Sequence, residues 1–202
     1  MIRTSVSFLL TATLSTLSVT AATTAPSIDS VKKGTYGIDS AHTQVGFSIS
    51  HFGFTNYAGL FAGATGTLKL DPAHPANDKL DVTIAVDSIV TTVPKLTDVL
   101  KGGQWFDSAK FPQATYNSSG VAVEPGGEIT ITGNLTLHGV TKPLTLHAHL
   151  MGAGVNPIAK KYTVGFEAKG KITRTDFGVS LYAPALGEEV ELLIAGAFEL
   201  QE

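Results

Sequence analysis

From Glu128 to Met151 the chain reads EITITGNLTLHGVTKPLTLHAHLM, and alternation governs the whole stretch. Ile129, Ile131, Leu135 and Leu137 interleave with Thr130, Thr132, Asn134 and Thr136; past residues 138–143, Leu144, Leu146, Ala148 and Leu150 resume the pattern. A period of two gives an extended strand one apolar and one wet face, a geometry that a helix does not reproduce. Two such runs around a Gly/Thr/Pro turn predict an antiparallel hairpin. Gly139 would take φ > 0 there, Pro143 would open the second strand, and Leu137 would face Leu144.

The same period recurs along the chain. Val45, Phe47, Ile49 and His51 share one parity, Gly53 and Gly59 bracket a turn, and 60–70 is a Gly/Ala-rich second strand. Leu80, Val82, Ile84 and Val86 mark a third, followed by 114–123, 128–138, 143–151, 162–172 and 190–200. Pro94 to Lys101 is the one helical excursion, opened by Pro94 and ended by Gly102-Gly103. Eight antiparallel strands with short connections predict an all-β domain. Periodicity leaves an up-and-down barrel and a β-sandwich both open; a barrel of this strand number can enclose one small ligand, as lipocalins do.

Residues 1–21 have the pattern of a signal peptide: Arg3, an apolar stretch from Phe8 to about Val19, and a small-residue site at Val19-Thr20-Ala21. Residues 22–34, rich in Thr and Ser, read as a linker, and 35–202 as the barrel domain. The expected location is therefore periplasmic or secreted. The absence of cysteine rules out disulfides and thiolate metal sites, so the apolar core alone must hold the fold. A net charge of −3 without a basic stripe argues against nucleic acid as a partner.

No Ser/His/Asp arrangement, nucleophile elbow or phosphate loop is present in the sequence, and neighbouring Glu188 and Glu189 point to opposite faces of a strand. His147 and His149 share a face, which suggests either a zinc or copper site or two exposed polar residues. His51, on the apolar parity of its strand, suits a core histidine at a barrel rim or a contact to a ligand head group. His42 fits a leading turn, and His74 fits solvent. Arg174 and Asp176 form a salt bridge or turn cap, or else Arg174 stands at a cavity mouth to meet an anion.

Four segments in order resemble the YceI-like family of exported, lipocalin-like polyisoprenoid-binding barrels: IDSAHTQVGFSISHFG, WFDSAKFP, GNLTLHGVTKPLTL and GKITRTDFGV. The likeness runs from about Tyr36 to Gln201. It is carried by Gly133, Leu135, Thr136, Gly139, Val140 and Thr141 in the hairpin and by Arg174, Asp176, Phe177 and Gly178. The chain departs from the family in the helical excursion, where Thr97-Asp98 and Val99-Leu100 replace an Arg-Asp pair and a nearby His. The resemblance implies an eight-stranded antiparallel up-and-down barrel that binds, carries or sequesters an isoprenoid quinone or prenyl phosphate. It implies no catalysis and no cofactor beyond the bound lipid. The expected ligand-binding residues are Phe47, Ile49, His51, Ile84, Phe106, Phe111, Phe166, Arg174 and Phe177. Transient membrane contact and a homodimer are compatible with this, a membrane-spanning protein is not. The competing classes are an interaction module with a filled core, a His-based metal binder and an outer-membrane barrel.

Overall fold

The structure, a computed structural model, describes residues 26–201. The signal-peptide pattern and the first residues of the linker lie outside the described residues. Strands form at β1 (Gly34–Ile38), β2 (Gln44–His51), β3 (Thr55–Phe61), β4 (Thr65–Leu70), β5 (Lys79–Ala85) and β6 (Ile89–Thr91). After the helix α1 (Pro94–Lys101) come β7 (Gln113–Val123), β8 (Glu128–Leu137), β9 (Val140–Val155), β10 (Tyr162–Thr173) and β11 (Glu189–Leu200).

These strands make eight antiparallel staves of one closed barrel. The outer edge of β11 pairs with both β1 and β2: Leu200 faces Tyr36, and Ile194 faces Val45. β4 and β3 pair with β1 and β2, and β5 and β6 pair with β4 and β3 in turn. β5 then meets β7, and a meander through β8, β9 and β10 returns to β11. Because β1 pairs with β11, the ring is closed and the sandwich is excluded.

Three neighbouring staves are each broken in two, and each break has a local cause. Between β1 and β2, Asp39 Oδ2 lies 2.6 Å from His42 Nδ1, and Thr43 both donates to and accepts from the backbone of Ala197. Gly63 (φ 65°) breaks the second, beside an Ala64 carbonyl that accepts from Ser40 Oγ at 2.6 Å. A 3-10 turn at Val86–Ser88 breaks the third. The breaks lie on adjacent staves and separate the lower segments β1, β4 and β5 from the upper segments β2, β3 and β6. Consequently β6 pairs with β3 and not with β7. Helix α1 and residues 102–112 occupy this gap; Leu100 is buried, Leu96 half-buried and Val99 exposed where they border the cavity.

Several expected boundaries move. The hairpin turn is two residues, His138 (φ 52°) and Gly139 (φ 76°), the doubly positive geometry that matches strand twist. Leu137 therefore pairs with Val140 and Leu144 with Gly133, not with each other. The turn expected up to Gly59 covers only 52–54, since β3 begins at Thr55. The linker is also shorter than expected: Ile28–Ser30 is a 3-10 turn and Val31 is 5% exposed.

Leu144, Leu146, Ala148 and Leu150 all point inward and are buried, as the alternation requires. Tyr116 is buried among them and its hydroxyl reaches the carbonyls of Ile131 and Leu144 at 3.1 and 3.2 Å. Gly133 makes room for it: a Cβ there would lie 2.6 Å from the Tyr116 ring and 2.6 Å from the Asn117 carbonyl. Outside, β9 to β11 expose His147, His149, Glu167, Lys169, Lys171, Glu189 and Glu191. A charged outer face of this kind does not suit the apolar band of an outer-membrane barrel.

Candidate functional site

The inward parity of β2 places Val45, Phe47 and Ile49 on the wall of an upper chamber of about 470 Å³. Phe61 packs 5.8 Å from Phe47 and 5.6 Å from Phe106, so three aromatic rings run from β2 to the segment after α1. A lower chamber of about 140 Å³ lies deeper in the barrel, between Leu68, Leu80, Tyr116, Leu146 and Phe166. Val45, Ile84, Leu135 and Leu192 belong to both walls, so the chambers meet at this belt. The result is an apolar interior of two adjoining chambers, the upper one the wider.

Polar groups on its walls are few. Thr43, Asp78 and Tyr116 touch the lower chamber, and burial pushes the Tyr116 hydroxyl up to about 12, keeping it neutral. Burial also pushes Asp78 up to about 6, with Asp71 repelling it and the Asp71 N–H, 2.7 Å away, opposing the shift. At the upper end stand His51, Gln104 and Arg174.

Arg174 is buried, and its donors are committed to the protein itself. Nε donates to Gly187 O at 2.8 Å, Nη1 to Val179 O at 2.6 Å and Nη2 to Leu186 O at 2.9 Å. Burial lowers its pKa from the ordinary value, with the Glu188 charge opposing. The geometry assigns Arg174 to pinning loop 178–188 across the upper chamber, in place of the expected ion pair with Asp176. The physical reason is that a planar fork of donors satisfies several loop carbonyls that would otherwise be buried unpaired.

Of the other expected ligand-binding residues, Phe47, Ile49, His51, Ile84 and Phe106 border the upper chamber and Phe166 the lower one. Two do not border either. Phe111 lies outside, its ring centroid 4.4 Å from that of His138 and its edge over Gly139. Phe177 packs in a separate cluster with Val86, Ala114 and Leu137, and its carbonyl lies 3.0 Å from His138 Nδ1. Aromatic clustering in sequence drew both in, although these rings lock the upper rim from behind. His51 is exposed, not a core histidine; its ring meets Phe52 edge-on at 4.7 Å. Leu96, Val99, Trp105 and Tyr182 complete the mouth and are not among the expected ligand-binding residues, although Trp105 opens the WFDSAKFP motif. The spacing of Leu96, Val99 and Leu100 along α1 was the signal available for the first two.

His147 and His149 are more than half exposed on the outer face, beside Glu128 at 3.0 Å and Glu167 at 3.6 Å. Among the described residues no group of three His, Asp or Glu side chains is placed to hold a metal.

The YceI-like domain matches residues 36–198 of this sequence. The chain belongs to the YceI-like family. Protein YceI of Salmonella arizonae is 44% identical over 154 residues, which cover 76% of this chain and 80% of that protein. The structure of BcnA from Burkholderia cenocepacia superimposes with a TM-score of 0.71 at 26% identity, covering 79% of this YceI-like chain and 98% of BcnA. The YCEI protein of Campylobacter jejuni gives 0.66 at 29% identity, covering 74% and 88%. A polyisoprenoid binding domain from Saccharophagus degradans shares the fold with a TM-score of 0.59 at 14% identity, covering 84% and 100%.

Proposed function

We propose that this YceI-like barrel binds, and thereby carries or sequesters, an amphiphilic lipid with a polyisoprenoid tail, without transforming it. The observation that carries the reading is the pair of adjoining apolar chambers, which share the belt of Val45, Ile84, Leu135 and Leu192 behind an aromatic mouth. The two chambers offer about 470 and 140 Å³ of apolar space. Burying ~15 tail carbons at roughly 0.8 kcal/mol each gives about 12 kcal/mol gross. That matches the estimated association cost of about 4–15 kcal/mol, so a large apolar interior is what makes such a lipid bindable. The fold shared with the Saccharophagus polyisoprenoid binding domain supports the same reading.

The head group would sit at the upper end, near His51 and Gln104. The upper chamber's described lining has no lysine, and Arg174 spends donors from all three of its nitrogens on carbonyls. This favours a neutral head such as a quinone over a prenyl phosphate. Phe52, Val99 and Tyr182 line the mouth and are exposed, and Phe54, in the 52–54 turn next to Phe52, is 87% exposed. Such a rim suits brief contact with a bilayer while a tail passes. No helix among the described residues is long and apolar enough to cross a membrane. The signal-peptide pattern of residues 1–21 supports an extracytoplasmic site of action.

Solvent extraction of the purified protein followed by mass spectrometry tests the proposal. A stoichiometric prenyl lipid is expected. An empty extract, combined with no uptake of added ubiquinone or prenyl phosphate, would leave an interaction module with a packed interior.

A further inference from the structure

We propose that residues 27–33 form the floor of the lower chamber and that Ile28 sets the longest polyisoprenoid tail the protein accepts; this rests on the lipid-carrier reading above. The walls of the lower chamber are almost entirely strand residues, and Ile28 joins them from outside the barrel. It packs at once against the cluster built on Tyr36, Leu68 and Leu80 and against the one built on Ile129, Ala148 and Ala168. These clusters come from staves on both sides of the ring, so a residue touching both spans the opening.

The segment is also held in place. Val31 is buried, and the Tyr36 hydroxyl donates to the Lys32 carbonyl. The Lys32 N–H donates to the Tyr162 hydroxyl at 3.4 Å while its ammonium lies 4.6 Å from the Tyr162 ring. Lys33 pairs with Asp71 at 2.6 Å, and the Ser27 hydroxyl accepts from the Asp29 N–H. The contacts of Val31, Lys32 and Lys33 with the barrel and the 3-10 turn at Ile28–Ser30 hold Ile28 against the two clusters, so a tail reaching the floor meets a fixed wall. Side-chain volume at position 28 therefore converts into tail length.

The test uses the delipidated full chain and its Ile28→Ala and Ile28→Phe variants, with farnesol, geranylgeraniol and solanesol as probes. Trp105, the single tryptophan, borders the upper chamber and reports occupancy by fluorescence. Ile28→Phe displaces about two tail carbons, so the longest probe that wild type accepts fully should bind about tenfold more weakly, with farnesol unchanged. Ile28→Ala should move the length preference the opposite way. Two substitutions acting in opposite directions separate a length effect from a folding defect, which weakens every probe alike. Wild-type binding with no length-dependent shift in either variant overturns the floor alone. Wild type that takes up no prenyl alcohol overturns the carrier reading and the floor together.

Discussion

Replacing Arg174 by Met separates a loop-pinning role from a head-group role. The substitution keeps an unbranched apolar stem and removes the donors to Val179, Leu186 and Gly187. Each buried carbonyl left unpaired costs about 1–3 kcal/mol, giving roughly 3–9 kcal/mol before relaxation. Loop 178–188 lies at the barrel rim and can admit water, and the guanidinium no longer has to be desolvated. The net loss therefore falls near the lower end, at about 3 kcal/mol. For a domain of this size that lowers Tm by on the order of 6–12 °C. Arg174→Lys should recover part of this, because an ammonium lacks the planar fork that reaches three carbonyls together. Urea denaturation measures the loss, and amide exchange should localise faster opening to 178–188. The reasoning predicts no change in the ratio of quinone to prenyl-phosphate affinity. A stability loss below about 1 kcal/mol, or a selective loss of prenyl-phosphate binding, would refute it.

Four other outcomes follow from the same geometry. Phe106→Asp places a charge on the aromatic run with Phe61 and should abolish lipid uptake while far-UV circular dichroism stays strand-like; unchanged uptake would remove Phe106 from the binding wall. Gly133→Ala drives a methyl against the Tyr116 ring and the Asn117 carbonyl and should cost about 1–3 kcal/mol in chemical denaturation. Asp78 binds a proton more tightly folded, at about 6, than unfolded, near 3.8. Its contribution is present at low pH and lost as pH rises through about 6, so Asp78→Asn should gain stability over wild type across that window, by ~2–3 kcal/mol at neutral pH. A constant difference from acid to neutral pH would count against this. Phe54→Ser removes the most exposed ring of the rim and should slow lipid transfer from vesicles without changing equilibrium affinity; an unchanged rate would exclude the rim as the site of contact.

The sequence alone determined what needs only local periodicity. Alternation from Glu128 to Leu150 set which side chains face inward, and a register slip would have exposed all of them together. It also placed His147 and His149 on the wet face, although the register against β8 is shifted by four residues, an even number that leaves the faces unchanged. Four ordered motifs identified the family. Other features depend on contacts between residues distant in the chain, which periodicity does not encode. The breaks in three adjacent staves, which open the gap that α1 fills, arise from pairings such as Thr43 with Ala197. Phe111 and Phe177 read like Phe106 in sequence, yet only the packing of the upper rim decides which rings face the chamber and which brace it from behind. Arg174 reads as an ion pair, a turn cap or an anion contact until loop 178–188 folds over it and supplies its carbonyls. Ile28, in a segment with the composition of a linker, becomes a wall because the ring closes above it.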